Sequence, residues 1–252
     1  MRRLWPDPGE VDDVAALVAA EARPAPPFRP WLLVNMVASL DGAITIRERS
    51  GGLGGPADRS VFSALRGVAD VVLAGAGTVR TEGYGPARPS PSTRAARRDR
   101  HQAEVPQIAV VTRSLDLDLT TPLFTEAERP TIVITCASTD AARRASVAEV
   151  AELVVAGDDE VDLAAALSGL RDKGAEVVTC EGGPHLNGEL ILRDLVDEWD
   201  LTISPVLVGG VAGRASRGAY PLVPATLRLD RMLEDDQFLL MRWVRDPHRP
   251  NA

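Results

Sequence analysis

Three short segments of the chain combine residue types that bind phosphate groups. They are Gly75-Ala-Gly-Thr-Val-Arg80, Thr112-Arg-Ser114 and Cys180-Glu-Gly-Gly-Pro184, and each follows an apolar run of strand type. Glycine allows a ligand to come close to the backbone, and the N–H groups at the start of a helix attract anions. Together the three segments predict a phosphate-binding site at the ends of several strands.

The first segment follows Val71-Val-Leu73, a pattern typical of a strand that is buried on both faces. Gly75 and Gly77 permit a tight turn and a close ligand, and Thr78 offers a hydroxyl group at the start of the next helix. The segment lacks the third glycine of the dinucleotide fingerprint, and strand-to-helix turns commonly contain glycine. By itself it is compatible with a cofactor turn and with an ordinary turn.

The third segment has the features of a diphosphate-binding turn. Gly182 and Gly183 admit a ligand next to the backbone, and Pro184 is suited to the first position of a helix. The N–H groups of His185 and Leu186 would then point towards an anion. We therefore expect a diphosphate at this turn.

The second segment places an arginine between two hydroxyl groups at the end of a strand. Arg113, flanked by Thr112 and Ser114, could hold a terminal phosphate through charge-assisted hydrogen bonds. A phosphate of this kind distinguishes NADPH from NADH. The alternative is that Arg113 is an ordinary surface residue.

Three carboxylates lie where the predicted site opens. Asp41 follows an apolar run, Glu82 follows the first glycine turn, and Glu181 precedes the glycine pair. A carboxylate can bind the amino edge of a pyrimidine through paired hydrogen bonds, and a partly buried one can relay a proton. A turn cap for Asp41 and helix-end charges for the other two are the alternatives.

The elements that must position these residues follow an alternating order. Strand-like runs occupy residues 31–38, 71–73, 107–111, 131–135, 152–155, 175–179 and 199–203, and helical patterns occupy 56–67, 139–149, 162–170 and 184–195. The alternation predicts an α/β fold in which helices cover a mostly parallel sheet. The runs 227–233 and 237–244 predict an antiparallel hairpin at one edge.

Other segments interrupt this order. Asp41-Gly42 predicts a turn into a second short strand over residues 43–46, and 47–55 predicts a mobile loop. Residues 83–106 predict a long loop whose arginines either meet an anionic substrate or face solvent; these are Arg88, Arg94, Arg97, Arg98 and Arg100.

The first 30 residues have a different composition from the remainder. An amphipathic stretch from Val11 to Glu21 precedes a proline-rich segment, which predicts a docked helix and a tether; a flexible arm and a dimer contact are the alternatives. We therefore divide the chain into an N-terminal segment, residues 1–30, and one larger domain, residues 31–246.

The overall composition narrows the class of protein. The net charge of −8 argues against a nucleic-acid partner, and no apolar run approaches the roughly 20 residues of a membrane span. Cys136 and Cys180 lie in strand-like runs, so we expect a reducing cytoplasm and no disulfide framework. The three histidines, His101, His185 and His248, lack metal-ligand spacing, so we expect no metal site.

Several motifs occur in an order that resembles the bacterial pyrimidine reductase family of riboflavin biosynthesis, the RibD C-terminal domain. The motifs are Ser39-Leu-Asp-Gly42, Ala57-Asp-Arg59 with Leu65-Arg66, the first glycine segment, Cys180-Glu-Gly-Gly-Pro-His-Leu-Asn-Gly188, Leu195-Val-Asp-Glu198 and Ser204-Pro-Val-Leu-Val-Gly-Gly210. The resemblance implies a three-layer α/β/α fold like that of dihydrofolate reductase, with NADPH as hydride donor. It also implies a ribosylamino-pyrimidinone 5′-phosphate substrate, whose ribose becomes a ribityl chain, and a homodimer.

The resemblance also implies roles for individual residues. Thr78 and Glu82 match cofactor-contacting positions, residues 183–188 match the diphosphate turn, and Arg113 or Ser114 matches the adenosine end. Glu181 and Arg66 match substrate-contacting positions, and Arg66 suits the substrate phosphate.

The sequence departs from the family pattern at three points. Ala43 stands where many members have Lys or Arg, and Arg88 is the only candidate for a second phosphate-binding arginine. The zinc-deaminase signatures His-x-Glu and Pro-Cys-x-x-Cys do not occur. A reductase of dihydrofolate or another pterin, and an NADPH-binding module without turnover, therefore stay open as alternatives.

Overall fold

A computed structural model describes residues 1–246 of the chain, so His248 lies outside the described residues. Contacts divide the chain into two compact units. Unit 1 holds residues 1–23, 31–65 and those from 180 onward, and unit 2 holds residues 24–30 and 66–179. Each unit is described by itself.

The described residues form eleven strands and eight helices, numbered along the chain. The strands are β1 (Arg2–Trp5), β2 (Gly9–Glu10), β3 (Trp31–Ser39), β4 (Val71–Gly75), β5 (Gln107–Val111), β6 (Ile132–Thr135), β7 (Glu152–Val155), β8 (Val177–Cys180), β9 (Glu198–Ser204), β10 (Leu227–Asp235) and β11 (Phe238–Arg245). The helices are α1 (Val14–Ala20), α2 (Pro56–Val68), α3 (Ala76–Glu82), α4 (Pro91–Asp99), α5 (Pro122–Thr125), α6 (Ala141–Ala148), α7 (Leu163–Asp172) and α8 (Pro184–Leu192).

In unit 1 the strands follow the spatial order β2-β1-β10-β11-β9-β3. All neighbours pair antiparallel except β3 and β9, which are parallel. The predicted hairpin is confirmed as β10 and β11, joined at Asp236 and Gln237, but its predicted edge position is wrong, because β1 pairs with the outer side of β10. Both turn residues have positive φ, 49° and 68°, which matches the right-handed twist of the paired strands.

In unit 2 the strands follow the order β8-β4-β5-β6-β7, and the pairs from β4 to β7 are parallel. Their apolar residues are buried as expected for a covered parallel sheet: Val72, Val110 and Val133 have 0% exposure. The predicted α/β fold class is therefore confirmed. The carboxyl ends of the parallel strands bring the loops that follow them to one edge.

The predicted strand over residues 43–46 is wrong. Ile46 and Arg49 form only an isolated bridge, because Arg47 and Glu48 adopt positive φ values of 51° and 70° and turn the chain back on itself. The apolar run Ala43–Ile46 is short, and its pattern alone could not reveal this turn.

The predicted irregular loop over residues 83–106 contains helix α4. Ser90 caps its N-terminus by accepting a hydrogen bond from the Thr93 N–H at 3.1 Å, and Pro91 occupies the first turn. The sequence did not predict this helix, because it is rich in arginine and its apolar residues show no helical periodicity. Three of the five loop arginines, Arg88, Arg94 and Arg98, form ion pairs with glutamates.

A buried cluster of charges anchors the N-terminal segment within unit 1. Arg23 donates hydrogen bonds to Glu21 and Glu198, both at 2.8 Å. Arg242 donates to both oxygens of Glu198 at 2.9 Å, and Arg231 donates to Glu21 at 2.5 Å. Removing one partner would leave a buried charge uncompensated. The division at residue 30 stays a prediction.

Candidate functional site

The Glu-Gly-Gly turn of unit 1 leads directly into α8. Pro184 is the first residue of the nine-residue helix, and Gly183 is its N-cap with no side-chain cap from the described residues. The first N–H groups of a helix have no partner within it, so His185 and Leu186 offer donors at the positive end of the helix dipole. The peptide bond between Gly182 and Gly183 is cis. The N–H donors at the start of α8 suit an anionic ligand.

Asn187 and Gly188 hold a distant segment against the first turns of α8. The Asn187 side chain donates to the Ala215 carbonyl at 2.8 Å, and the Arg217 N–H donates to the Pro184 carbonyl at 2.8 Å. A Cβ at Gly188 would lie 2.2 Å from the Arg217 carbonyl oxygen, so only glycine allows this packing. Neither role had been predicted, although both residues stand in the Pro-His-Leu-Asn-Gly motif.

Cys180 helps to orient Asn187. Its thiol donates to Asn187 Oδ1 at 3.5 Å, which leaves the amide nitrogen to donate to Ala215. Burial raises the pKa of Cys180 to about 12, so the thiol keeps its proton at neutral pH. Both cysteines of the chain are free and buried.

Glu181, between Cys180 and the glycine pair, is buried with 9% exposure. A glutamate side chain at this position in the chain can accept hydrogen bonds from polar hydrogens of a substrate. Its assignment as a catalytic and substrate-contacting residue remains a prediction.

Asp41 connects the turn after β3 to the segment that follows β9. It accepts hydrogen bonds from the Ser39 hydroxyl at 2.5 Å, the Val208 N–H at 3.2 Å and the Gly209 N–H at 2.6 Å. These bonds, led by that from Ser39, lower the pKa of Asp41 from 3.8 to about 2. Asp41 is thus a carboxylate at neutral pH, and its stabilising effect is lost as the pH falls towards about 2. Its predicted catalytic and substrate-binding roles stay untested.

We expect Asp41→Ala to loosen the segment that follows β9. Hydrogen exchange of the Val208 and Gly209 amides, measured by NMR, should become about tenfold faster because each amide loses its acceptor. Asp41→Asn is the matched control, since it keeps a carbonyl oxygen and should have a smaller effect. Unchanged exchange in the alanine variant would contradict the anchoring role.

In unit 2 the first glycine segment forms the junction of β4 and α3. Gly75 is the N-cap residue with φ −74°, and Gly77 lies inside the seven-residue helix, so neither glycine is required by a positive φ. A Cβ at Gly77 would meet no atom within 4 Å. Neither glycine therefore needs the positive φ range here, and the predicted roles of Gly75 and Gly77 in a tight turn and beside a ligand stay predictions. Thr78 and Glu82 lie further along the same helix.

The second segment lies next to the first in unit 2. Gly75 pairs with Val111 in the parallel ladder, so α3 and residues 112–114 leave neighbouring strand ends. Thr112 is buried and its hydroxyl accepts from the Leu115 N–H at 3.0 Å. The Arg113 side chain is 69% exposed and lies 3.9 Å from Glu160.

The loop that holds Arg113 is fixed by α6. Arg143 donates to the Ser114 carbonyl at 2.9 Å, and the Ser114 hydroxyl accepts from the Asp116 N–H at 3.3 Å. Arg143 was not predicted, because its partner lies 29 residues away in the chain. Hydrogen bonds thus hold the loop that carries the exposed Arg113 guanidinium. A residue that binds phosphate needs such a fixed backbone.

Arg66 lies in the last turn of α2, in the part of that helix that belongs to unit 2. Its guanidinium carbon is 5.6 Å from the centroid of the Tyr84 ring, which is within cation–π range. Tyr84 follows Gly83, whose left-handed conformation (φ 68°) ends α3. This contact brings one predicted substrate residue to the end of the helix that carries Glu82.

Comparison with known proteins identifies the family. The model of the RibD C-terminal domain matches residues 30–240. The chain belongs to this family. Its RibD C-terminal domain is 30% identical over 184 residues to 2,5-diamino-6-ribosylamino-4(3H)-pyrimidinone 5′-phosphate reductase of Archaeoglobus fulgidus, covering 73% of this chain and 84% of the relative. It is 32% identical over 185 residues to the enzyme of that name from Methanothermobacter thermautotrophicus, covering 73% and 81%.

A solved structure also resembles this RibD C-terminal domain. A pyrimidine reductase-like protein of Corynebacterium diphtheriae superposes with a TM-score of 0.80 at 23% identity, covering 92% of this chain and 99% of the other. The predicted family and its fold are thus confirmed, and the expectation of an oxidoreductase agrees with the names of the curated relatives.

Within residues 1–246, no group of three or more His, Cys, Asp or Glu side chains is arranged to hold a metal ion. Over the same part of the chain, every helix is too short or too polar to cross a bilayer.

Proposed function

We propose that this RibD C-terminal domain is an NADPH-dependent reductase of riboflavin biosynthesis that acts on a ribosylamino-pyrimidinone 5′-phosphate. Its product carries a ribityl chain in place of the ribose ring. The observation that carries the proposal is the start of α8, where a Glu-Gly-Gly turn precedes a nine-residue helix whose N-cap is a glycine. The names of the curated relatives, which specify a reductase of such a phosphate, support the choice of substrate.

NADPH, when bound, supplies the hydride for the reduction. The residues that the motifs propose for NADPH contacts are, within unit 2, Gly75, Gly77, Thr78, Glu82, Thr112, Arg113 and Ser114 and, within unit 1, Gly182, Gly183, Pro184, His185 and Leu186. The glycine N-cap of α8 fits a diphosphate, because the unpaired N–H groups of the first turn meet a ligand without an intervening side chain. The exposed Arg113 fits the terminal phosphate that distinguishes NADPH from NADH.

For the substrate, the family motifs propose roles for three residues, each considered within its own unit. Arg66 would bind the 5′-phosphate, because a guanidinium matches phosphate oxygens with two parallel hydrogen bonds. Glu181 would accept hydrogen bonds from the amino edge of the pyrimidine and hold or move a proton at a carboxylate oxygen. Asp41, anchored to Val208 and Gly209, would support the substrate from the turn after β3.

NADPH oxidation, followed spectrophotometrically, tests this function. The phosphorylated pyrimidine should drive oxidation, dihydrofolate should not, and NADH should be a poorer donor than NADPH. Oxidation with dihydrofolate alone would establish a pterin reductase instead. NADPH binding without oxidation by either substrate would leave a binding module and overturn the proposal.

We also propose a cytoplasmic homodimer. Large apolar side chains are exposed along the segment after β9, including Leu207 at 77%, Tyr220 at 89% and Leu222 at 103%, and exposed apolar surface of this kind favours a protein partner. The apolar face of α1 was the sequence-based candidate for a dimer contact. Its residue Val18 is completely buried within unit 1.

A further inference from the structure

Residues at and just after the end of α4 donate hydrogen bonds to the backbone at the carboxyl end of α2. Arg97 is completely buried and its Nη1 donates to the carbonyl oxygens of Ala69 at 2.6 Å, Gly67 at 3.1 Å and Arg66 at 3.4 Å. Its Nε donates to the Ala103 carbonyl at 2.7 Å. One side chain therefore binds three carbonyl oxygens within four residues, at the point where the helix ends.

Two further side chains complete this contact. Arg100 donates to the Gly67 carbonyl at 2.7 Å and to the Gln102 side-chain oxygen at 3.0 Å. Gln102 donates to the Val68 carbonyl at 2.9 Å and to Asp70 at 2.8 Å. Each carbonyl from residue 66 to residue 69 thus accepts a hydrogen bond from Arg97, Arg100 or Gln102. We call these three residues the α2 clamp.

The α2 clamp meets a physical need of the helix end. The last carbonyl groups of a helix have no N–H partner within it and form the negative end of its dipole. Two guanidinium groups and an amide satisfy those oxygens. Burial lowers the pKa of Arg97 to about 10, which still leaves the guanidinium charged at neutral pH. The last turn of α2 is therefore held by charge-assisted bonds.

The α2 clamp also fixes the backbone position of Arg66. Its hydrogen bonds act on the backbone of Arg66 and of the three residues that follow it. The Arg66 side chain is held at its other end over Tyr84. By contrast, Arg94 and Arg98 of the same helix pair with carboxylates. The α2 clamp thus fixes the backbone from which the Arg66 side chain extends, and Arg66 is the residue that we assign to the substrate phosphate.

We propose that Arg97, Arg100 and Gln102 are positioning residues that hold Arg66 in place for the phosphate group of the substrate. The proposal rests on the proposed function, because it deepens the role of Arg66. A shift of about 1 Å in a binding residue can reduce the efficiency of an enzyme by up to about a hundredfold. A phosphate-positioning role acts on substrate affinity alone, whereas a general loss of structure also lowers kcat and weakens NADPH binding.

The test compares Arg97→Lys and Arg100→Ala with Arg94→Ala, a control on the same helix. The KM for the phosphorylated pyrimidine should rise about tenfold in Arg97→Lys and about threefold in Arg100→Ala, since lysine lacks the planar fork and alanine removes one donor. The kcat and the KM for NADPH should stay within about twofold of wild type. The dephosphorylated pyrimidine should show the same KM in all variants.

A double-mutant cycle shows whether the effect passes through Arg66. In an Arg66→Ala background, Arg97→Lys should cause no further rise in the KM for the phosphorylated substrate, because the positioned group is gone. An equal rise in both backgrounds, or parallel changes in kcat and in the KM for NADPH, would overturn the positioning role. If Arg97→Lys does not fold, Arg100→Ala carries the same comparison.

The outcomes separate this proposal from the proposed function. A wild-type protein that oxidises NADPH with the phosphorylated pyrimidine, together with clamp variants of unchanged KM, would overturn the α2 clamp alone. A wild-type protein without that activity would overturn the proposed function and the clamp with it.

Discussion

Gly183→Val is expected to weaken NADPH binding by about a hundredfold or more, equivalent to roughly 2.7 kcal/mol. Gly183 is the N-cap of α8, and its φ of −81° and ψ of −173° are open to valine. We attribute the expected loss to steric exclusion of the ligand, because a valine at the N-cap adds bulk next to the first N–H groups of the helix. Fluorescence or calorimetric titration with NADPH measures the change.

Gly169→Ala provides a matched control for this variant. Gly169 lies inside α7, and a Cβ there would be 3.9 Å from Val154, an ordinary van der Waals distance. We expect wild-type NADPH affinity and a thermal midpoint that is unchanged or slightly higher, since alanine is a better helix former than glycine. Unchanged NADPH affinity in a folded Gly183→Val protein would remove the α8 turn from the cofactor site.

Arg66→Ala is expected to raise the KM for the phosphorylated pyrimidine by about ten- to a hundredfold, because a charge-assisted pair of hydrogen bonds to the phosphate is lost. The affinity for NADPH should change by less than about twofold. The dephosphorylated pyrimidine should be used equally well by wild type and variant. Steady-state kinetics with each substrate and direct NADPH titration distinguish these effects.

Arg98→Ala is the control for removal of a positive charge. Arg98 is exposed on α4 and pairs with Glu104 at 2.8 Å, so its loss should leave both KM values unchanged. Equal weakening of NADPH and substrate by Arg66→Ala would contradict the phosphate role. A KM that is raised for the dephosphorylated substrate as well would point to lost packing against Tyr84 instead.

The segments with local signals were predictable from sequence. The start of α8 agrees with the pattern Gly-Gly-Pro, since proline is favoured in the first turn and glycine leaves the N-terminus open. The hairpin of β10 and β11 was predictable from alternating residues on either side of an acidic turn, but its interior position in the sheet was not. Signals of this kind lie within a few residues of one another, so no knowledge of distant contacts is needed.

The contacts of the arginines were not predictable in the same way. Arg97 lies in a polar helix and, from sequence, would be expected at the surface. It is nevertheless fully buried, because it binds backbone carbonyls that lie about 30 residues earlier in the chain. From its local sequence, Asp41 resembles an ordinary turn cap. The amides that anchor its side chain are 167 and 168 residues away in the chain. A local pattern contains no information about such partners.

By itself, the sequence determined the α/β class, the family, and the three segments that carry the phosphate-binding residue types. The tertiary structure alone decided which side chains are occupied elsewhere, such as Asp41 at its two amides, and which position others, such as Arg97 at the end of α2. It also showed that Gly188 is required by the nearby Arg217 backbone. The physical reason is that turns and helix starts depend on near neighbours, whereas buried hydrogen bonds and close packing depend on the folded chain.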